Sequence, residues 1–216
     1  MKYERHQGQD LEYLTVVPDN HASNVNYPLV IMLHGFGANM QDLAGLAPAI
    51  ESEGYVYACP NAPIPFDLGP GQVGYGWTPP RGEATPEDIR HAEGLLGGFF
   101  DEILAQFQIS SGQALLMGFS QGGGMTYRCG LSRPEVFAGL VALSASLPDP
   151  DVLRGRLPQH REQPIFIAHG RADPMVSMES ARNTRKFLEE EGYSPDYHEY
   201  DMGHEIPLPV LQDLIP

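Results

Sequence analysis

Ser120, in Gly118-Phe119-Ser120-Gln121-Gly122, is the residue of this chain whose setting most suggests chemistry. The pentapeptide fits G-x-S-x-G, a sharp strand-to-helix turn that lifts a serine hydroxyl into reach of a substrate. Both glycines have a physical reason: a strained turn crowds its neighbours, so the flanking positions must lack side chains for strand and helix to approach. A serine hydroxyl is a weak nucleophile near neutral pH. If it attacks a carbonyl, it needs a base within hydrogen-bond reach and a third group to orient that base. In the order serine, acid, histidine, the candidates are Asp173, in His169-Gly170-Arg171-Ala172-Asp173-Pro174-Met175-Val176, and His204, in Asp201-Met202-Gly203-His204-Glu205. Both stand on loops directly after predicted strands.

The chain has eight histidines and 28 acids, so rivals must be weighed. His169 ends a strand near the acid and is expected to shape that loop, His91 lies in a long helix, and His6 and His21 precede or flank the first strand. Taken alone, Asp173 reads equally well as a turn aspartate before proline and His204 as a surface histidine. Three residues in this order at three strand ends argue against coincidence. The attack also needs donors for the negative charge developing on the carbonyl oxygen. The N–H of Gln121, at a helix N-terminus, and one from His34-Gly35-Phe36-Gly37, that of Phe36, fit this role, and losing one such donor costs about 3 kcal/mol in the transition state.

The elements that must position these residues can be read from hydrophobic period. Leu11 to Val17 reads as a first strand. Pro28-Leu29-Val30-Ile31-Met32-Leu33 is continuously apolar, the mark of a central strand buried on both faces. A glycine-rich turn follows, then a helix from Met40 to Glu53 with Asn39 as N-cap. Tyr55 to Cys59 is a third strand. Residues 60–86 form a long Pro/Gly-rich loop with no apolar period; its length suggests a lid or binding wall, and its Trp77, Phe66 and Tyr75 would either face a ligand or simply tuck the loop down. Thr85-Pro86-Glu87-Asp88 starts a helix whose apolar stripe, Ile89 to Phe107, packs on a sheet. Strands are expected at Ala114 to Met117, Phe137 to Leu143, Pro164 to Ala168 and Asp196 to Asp201. Helices follow Gln121 and span Glu179 to Glu191, with a short last one over Pro207 to Leu214. Alternation of this kind describes an α/β fold with a mostly parallel central sheet, helices on both faces and chemistry at the carboxyl ends of the strands.

Composition sets outer bounds. With 216 residues, 42% of them hydrophobic, the chain reads as one globular domain over residues 1–216. No apolar run has the length of a membrane span and no apolar leader follows Met1, so cytoplasmic placement without stable membrane insertion is expected. The net charge of −15, from 13 Lys+Arg and 28 Asp+Glu, repels phosphate backbones and argues against a nucleic-acid partner. Cys59 and Cys129 sit in apolar surroundings without metal-ligand spacing and read as reduced packing residues.

His34-Gly35-Phe36-Gly37, Gly118-Phe119-Ser120-Gln121-Gly122-Gly123, His169-Gly170-x-x-Asp173-Pro174-x-Val176 and Gly203-His204 together resemble the phospholipase/carboxylesterase family of α/β-hydrolases, the relatives of acyl-protein thioesterases. The resemblance runs from the second predicted strand to near the C-terminus. It implies an α/β-hydrolase fold with minimal or no cap domain, with Ser120 as nucleophile, Asp173 as acid, His204 as base, and oxyanion donors at Phe36 and Gln121. It implies a small-molecule ester as substrate, of short to medium acyl chain, and no metal or other cofactor. Thioesters or lysophospholipids of longer chain are the alternative, with Phe66, Trp77, Met175 and Val176 lining an apolar groove; a catalytically silent ligand-binding module is a third reading. The 60–86 region matches the family only loosely. Relatives have a longer final helix, so packing behind the histidine loop is expected to be weaker or supplied by a partner, a homodimer being one arrangement.

Overall fold

Short apolar runs of this chain become strands and periodic runs become helices in the computed structural model, which describes residues 1–22 and 24–214. The elements are β1 (Lys2–Gln7), β2 (Glu12–Val17), β3 (Leu29–Leu33), α1 (Met40–Ala44), α2 (Ala47–Ile50), β4 (Val56–Pro60), β5 (Ile64–Gly69), β6 (Gln72–Gly76), α3 (Pro86–Gln106), β7 (Ala114–Phe119), α4 (Gln121–Gly130), β8 (Phe137–Leu143), α5 (Pro150–Arg154), β9 (Ile165–Gly170), α6 (Met178–Glu190), β10 (Asp196–Tyr200) and α7 (Leu208–Asp213). Among the described residues, eight strands form one sheet in the order β1-β2-β4-β3-β7-β8-β9-β10. From β4 through β10 neighbours run parallel, and β1 and β2 add an antiparallel edge. This is the α/β-hydrolase arrangement of a mostly parallel sheet between helices.

The sheet is buried on both sides because its central strands are apolar at every position. All five residues of β3 are buried, and alternate ones serve different cores. Leu29, Ile31 and Leu33 join the α3, α4 and α6 side with Leu96, Phe99, Phe100, Tyr127 and Leu188. Val30 and Met32 join the α1 and α7 side with Met40, Leu43, Met202 and Val210. The α3 stripe, Ala92, Leu96, Phe99, Phe100 and Ile103, is core. Its start is fixed by a capping box, in which Thr85 and Asp88 satisfy each other's exposed backbone N–H groups.

Besides the short α5, which carried no expectation, three parts depart from what the sequence suggests. β1, Lys-Tyr-Glu-Arg-His-Gln, is a strand of polar residues that pairs along the whole of β2; it has no apolar alternation because it is a solvent-facing edge, where charge discourages further strand pairing. The Met40–Glu53 helix is two short helices instead, broken at Gly45-Leu46, with Pro48 near the start of the second; the Asn39 capping box is present. Within residues 60–86 lies an antiparallel hairpin, β5 with β6, rather than an irregular loop. It escaped the period rule because it forms no part of the main sheet and most of its residues are exposed or half-buried. Cys59 and Cys129 are free and buried, and burial pushes both thiols up, Cys129 to about 12.

Candidate active site

The turn between β7 and α4 has the strain its glycines suggest. Ser120 stands at φ 54°, ψ −116°, a left-handed conformation costly for a side-chain-bearing residue, and it is held there by its N–H on the Leu143 carbonyl at 2.9 Å. A Cβ on Gly118 would overlap the Gly122 carbonyl, and one on Gly122 would overlap the backbone of Leu33. Side-chain-free positions on both sides of Ser120 are therefore what allow β7, β3 and α4 to meet behind it.

His204 and Asp173 arrive from the ends of β10 and β9. His204 Nε2 lies 2.9 Å from Ser120 Oγ, and its Nδ1 lies 2.7 Å from Asp173 Oδ2. A carboxylate only accepts, so Nδ1–H donates to Asp173 and leaves Nε2 as the acceptor for the serine hydroxyl. The Phe119 ring, its centroid 4.7 Å away, holds the imidazole from one side. The Asp173 side chain is fully buried, and Oδ1 accepts the N–H groups of Met175 at 2.8 Å and Val176 at 2.9 Å. Burial pushes its carboxyl up, but the bond to His204, the two backbone N–H bonds and the electrostatic pull of the imidazole together bring it below the ordinary carboxylate range. The two loops are stitched together: Arg171 N–H donates to the Tyr200 carbonyl at 2.8 Å and Ala172 N–H to that of Met202 at 3.1 Å. A Cβ on Gly170 would strike the Met202 and Gly203 carbonyls, so this glycine lets the acid loop and histidine loop close on each other.

The loop after β3 passes beside the elbow, close enough that a Cβ on Gly35 would touch the Phe119 ring and Ser120 Cβ. Phe36 is on this loop and Gln121 is the first residue of α4. Among the described residues, no protein acceptor engages the N–H of either.

A serine hydroxyl with an oriented imidazole and a buried carboxylate behind it forms a coherent hydrolytic geometry. A match to the phospholipase/carboxylesterase family spans residues 15–216. The chain belongs to the phospholipase/carboxylesterase family. Relatives in it include acyl-protein thioesterase 1 of Neurospora crassa, 32% identical over 84% of this chain and 82% of its own length. A probable carboxylesterase of Oryza sativa subsp. japonica is 29% identical over 93% of this chain and 80% of its own. The crystal structure of esterase PE8 superposes with a TM-score of 0.82 at 25% identity, covering 94% of this chain and 95% of that one. A hydrolase of the esterase or thioesterase type follows.

For this phospholipase/carboxylesterase family member, the residues expected to line a substrate groove separate. Trp77 is a correction: it is only 1% exposed, and its indole N–H donates to the His34 carbonyl at 2.8 Å, so its ring braces the β3 loop and presents no wall. Val176 is buried as well and serves through its backbone, with its N–H on Asp173 and its carbonyl 2.8 Å from His169 Nε2. Met175, by contrast, is 67% exposed. Phe66, on β5, stacks obliquely on Phe36 with centroids 4.7 Å apart, placing a pair of half-exposed aromatics on the rim.

One residue of the site carried no assigned role in the sequence reading. His34 is buried, its Nδ1–H donates to its neighbour's carbonyl at Gly35 (2.8 Å), and its Nε2 accepts the Ala62 N–H at 3.0 Å. Burial lowers its pKa, against a smaller opposing pull from the Gly35 bond and Asp42, so the neutral ring is favoured. The signal was present as a histidine directly before a glycine-rich turn, but its partners, Ala62 and Trp77, are 28 and 43 positions away.

No helix among the described residues is long and apolar enough to cross a membrane.

Proposed function

We propose that this protein is a serine carboxylesterase that hydrolyses carboxylic esters of short to medium acyl chain through an acyl-enzyme. The observation that carries this is the continuous line Ser120 Oγ, His204 Nε2 at 2.9 Å, His204 Nδ1, Asp173 Oδ2 at 2.7 Å. Ser120 Oγ attacks the ester carbonyl as its proton passes to His204 Nε2, and Asp173 holds the imidazole in the Nδ1–H tautomer and stabilises its charge. The oxygen that becomes negative is received by the N–H groups of Phe36 and Gln121. His204 returns the proton to the departing alcohol. Water then enters, loses a proton to the same nitrogen and adds to the acyl carbonyl, and the intermediate collapses as His204 passes that proton to Ser120 Oγ, releasing the acid and free Ser120.

A second reading, an acyl-thioesterase or lysophospholipase acting on longer chains, draws on the apolar rim of Phe36, Phe66 and Met175 and on the thioesterase name of the Neurospora crassa and Kluyveromyces lactis relatives. Measuring kcat/KM over matched oxygen ester and thioester series of increasing acyl length decides between the two. A maximum at short oxygen esters supports the carboxylesterase, and a steep rise with long thioesters supports the alternative. In the same assay Ser120→Ala should be inactive and fail to label with a fluorophosphonate probe. Equal hydrolysis by wild type and Ser120→Ala would sink both readings.

A further inference from the structure

The two candidate oxyanion donors stand on different elements, the Phe36 N–H on the loop after β3 and the Gln121 N–H at the start of α4. Both must lie about 3 Å from one developing oxygen, and a misplacement of about 1 Å can cost 100-fold in rate. Something must therefore hold the separation of these two elements.

The Gln121 side chain spans from one to the other. Its Oε1 accepts the Trp77 N–H at 2.8 Å, and its Nε2 donates to the Thr78 carbonyl at 3.1 Å and to Thr78 Oγ1 at 3.0 Å. From Trp77 the connection continues into the other donor's loop: the indole N–H sits on the His34 carbonyl at 2.8 Å, and His34 is bonded to Gly35 and Ala62. The hairpin closes the same loop from outside. Gly37 N–H donates to the Tyr75 carbonyl and Tyr75 N–H to the Ala38 carbonyl, both at 2.8 Å. A circuit thus runs from α4 through Trp77 and Thr78 to His34 and Phe36, and its first link is a carboxamide. A carboxamide can both accept from one backbone N–H and donate to the next carbonyl, and here the Gln121 side chain does both.

We propose that the Gln121 carboxamide is a positioning residue for the oxyanion pocket, acting through Trp77 and Thr78 to set the distance between the Phe36 and Gln121 N–H groups. This rests on the reading of Ser120 as nucleophile and of those two N–H groups as oxyanion donors. It is separate from the backbone role of Gln121, because Gln121→Met and Gln121→Glu both retain that N–H.

The test uses Gln121→Met, which keeps length and loses both bonding functions, and Gln121→Glu, which keeps the acceptor for Trp77 and loses the donor to Thr78. Thr78→Val removes the hydroxyl partner alone. For each, kcat and KM on a short 4-nitrophenyl ester are measured beside the inhibition constant of a trifluoromethyl ketone of matching acyl group, which forms a tetrahedral adduct with the serine. Thermal unfolding is followed in parallel. Gln121→Met should lower kcat about 10- to 100-fold with KM within about twofold, and weaken the ketone in proportion, as expected for lost transition-state binding. Gln121→Glu should lie between it and wild type, and Thr78→Val should lose only a few-fold. Wild-type kcat and ketone affinity in Gln121→Met would overturn the proposal, as would a fall in kcat with ketone binding unchanged. If Gln121→Met does not fold, Thr78→Val decides: weakened ketone binding at native thermal stability supports the proposal, and unchanged binding overturns it. Ser120→Ala keeps the outcomes apart. An inactive Ser120→Ala beside a wild-type Gln121→Met removes only the positioning role, whereas an active Ser120→Ala removes the nucleophile assignment on which it rests.

Discussion

The elbow at Ser120 and the β5–β6 hairpin both border the candidate site, and they are built on opposite principles. Around Ser120 the backbone is locked: glycines at 118 and 122 have no room for a methyl group, Ser120 holds a strained φ, and both carboxylate oxygens of Asp173 are bonded. The outer end of the hairpin, beyond the closely packed Gly74 and Gly76, instead exposes apolar side chains, Leu68 at 51% and Val73 at 52%, and its turn glycines Gly69 and Gly71 meet nothing within 4 Å of an added Cβ. Chemistry needs fixed atoms at sub-ångström tolerance, so its supports are buried and over-determined. Surfaces that meet a variable substrate need only shape and apolar area, so they are exposed and lightly held.

This contrast can be broken most severely at the acid. Asp173→Asn leaves a carboxamide beside His204 that disfavours the working tautomer, and kcat should fall on the order of 10⁴-fold while the fold persists. Steady-state kinetics with circular dichroism checks this, and activity within tenfold of wild type would deny Asp173 its role. Substitution of the hairpin residues Leu68→Ser or Val73→Ser should leave kcat on the shortest esters within about twofold.

Backbone room is the next largest effect. Gly122→Ala drives a methyl group into the Leu33 backbone, which cannot yield as a side chain end would, and should destabilise the protein by about 1–3 kcal/mol or more in urea unfolding. Gly71→Ala meets no steric neighbour but retains φ 75°, so it should cost only about 1–2 kcal/mol through backbone conformation, with esterase rate preserved. Equal losses of activity in the two would erase the distinction between the regions.

Acid should reach the locked region first. Asp173 has a folded pKa below its unfolded value, so its contribution to stability is complete above the unfolded carboxylate range, about pH 4, and is lost as pH falls through the folded value. His34 also has a lowered folded pKa, so the unfolded chain takes up its proton first; stability from this residue is complete above about pH 6.5 and declines below it. Chemical denaturation from pH 7 to pH 5 should therefore show a falling free energy in wild type that is shallower in His34→Gln. An identical slope in the two proteins would remove His34 as the cause.

The smallest expected effect is the most informative about substrate. Leu68→Ser and Val73→Ser should shift stability by no more than about 0.5 kcal/mol, as exposed positions do. If the hairpin rim receives acyl groups, the same variants should lower kcat/KM for long acyl chains relative to short ones. An unchanged chain-length profile would assign the hairpin no part in selection.

The parts of the site that were legible from residues are those with local signatures. Gly118-Phe119-Ser120-Gln121-Gly122 announces the elbow because strain there is relieved by glycine within the same five residues. Asp173 and His204 were selected from 28 acids and eight histidines by chain order and by their place after strands. For Trp77 the sequence leaves wall and brace open, since an aromatic in a Pro/Gly-rich stretch has the same local signature whether it faces a ligand or a buried carbonyl. The role of His34 and the Gln121 side chain was equally invisible, because their partners lie 28 to 44 positions away.

By itself, then, the sequence determined the succession of β2, the central strands and the long helices, the class of sheet and the identity of the elbow, because hydrophobic period, caps and glycine strain act between residues a few positions apart. Tertiary structure alone decided that polar β1 pairs on β2, that residues 64–76 form a hairpin seated on the β3 loop, and that Trp77 points inward to His34. Those outcomes depend on hydrogen-bond partners and burial supplied by distant segments, and a backbone N–H or an indole carries no mark of its partner until the chain has closed around it.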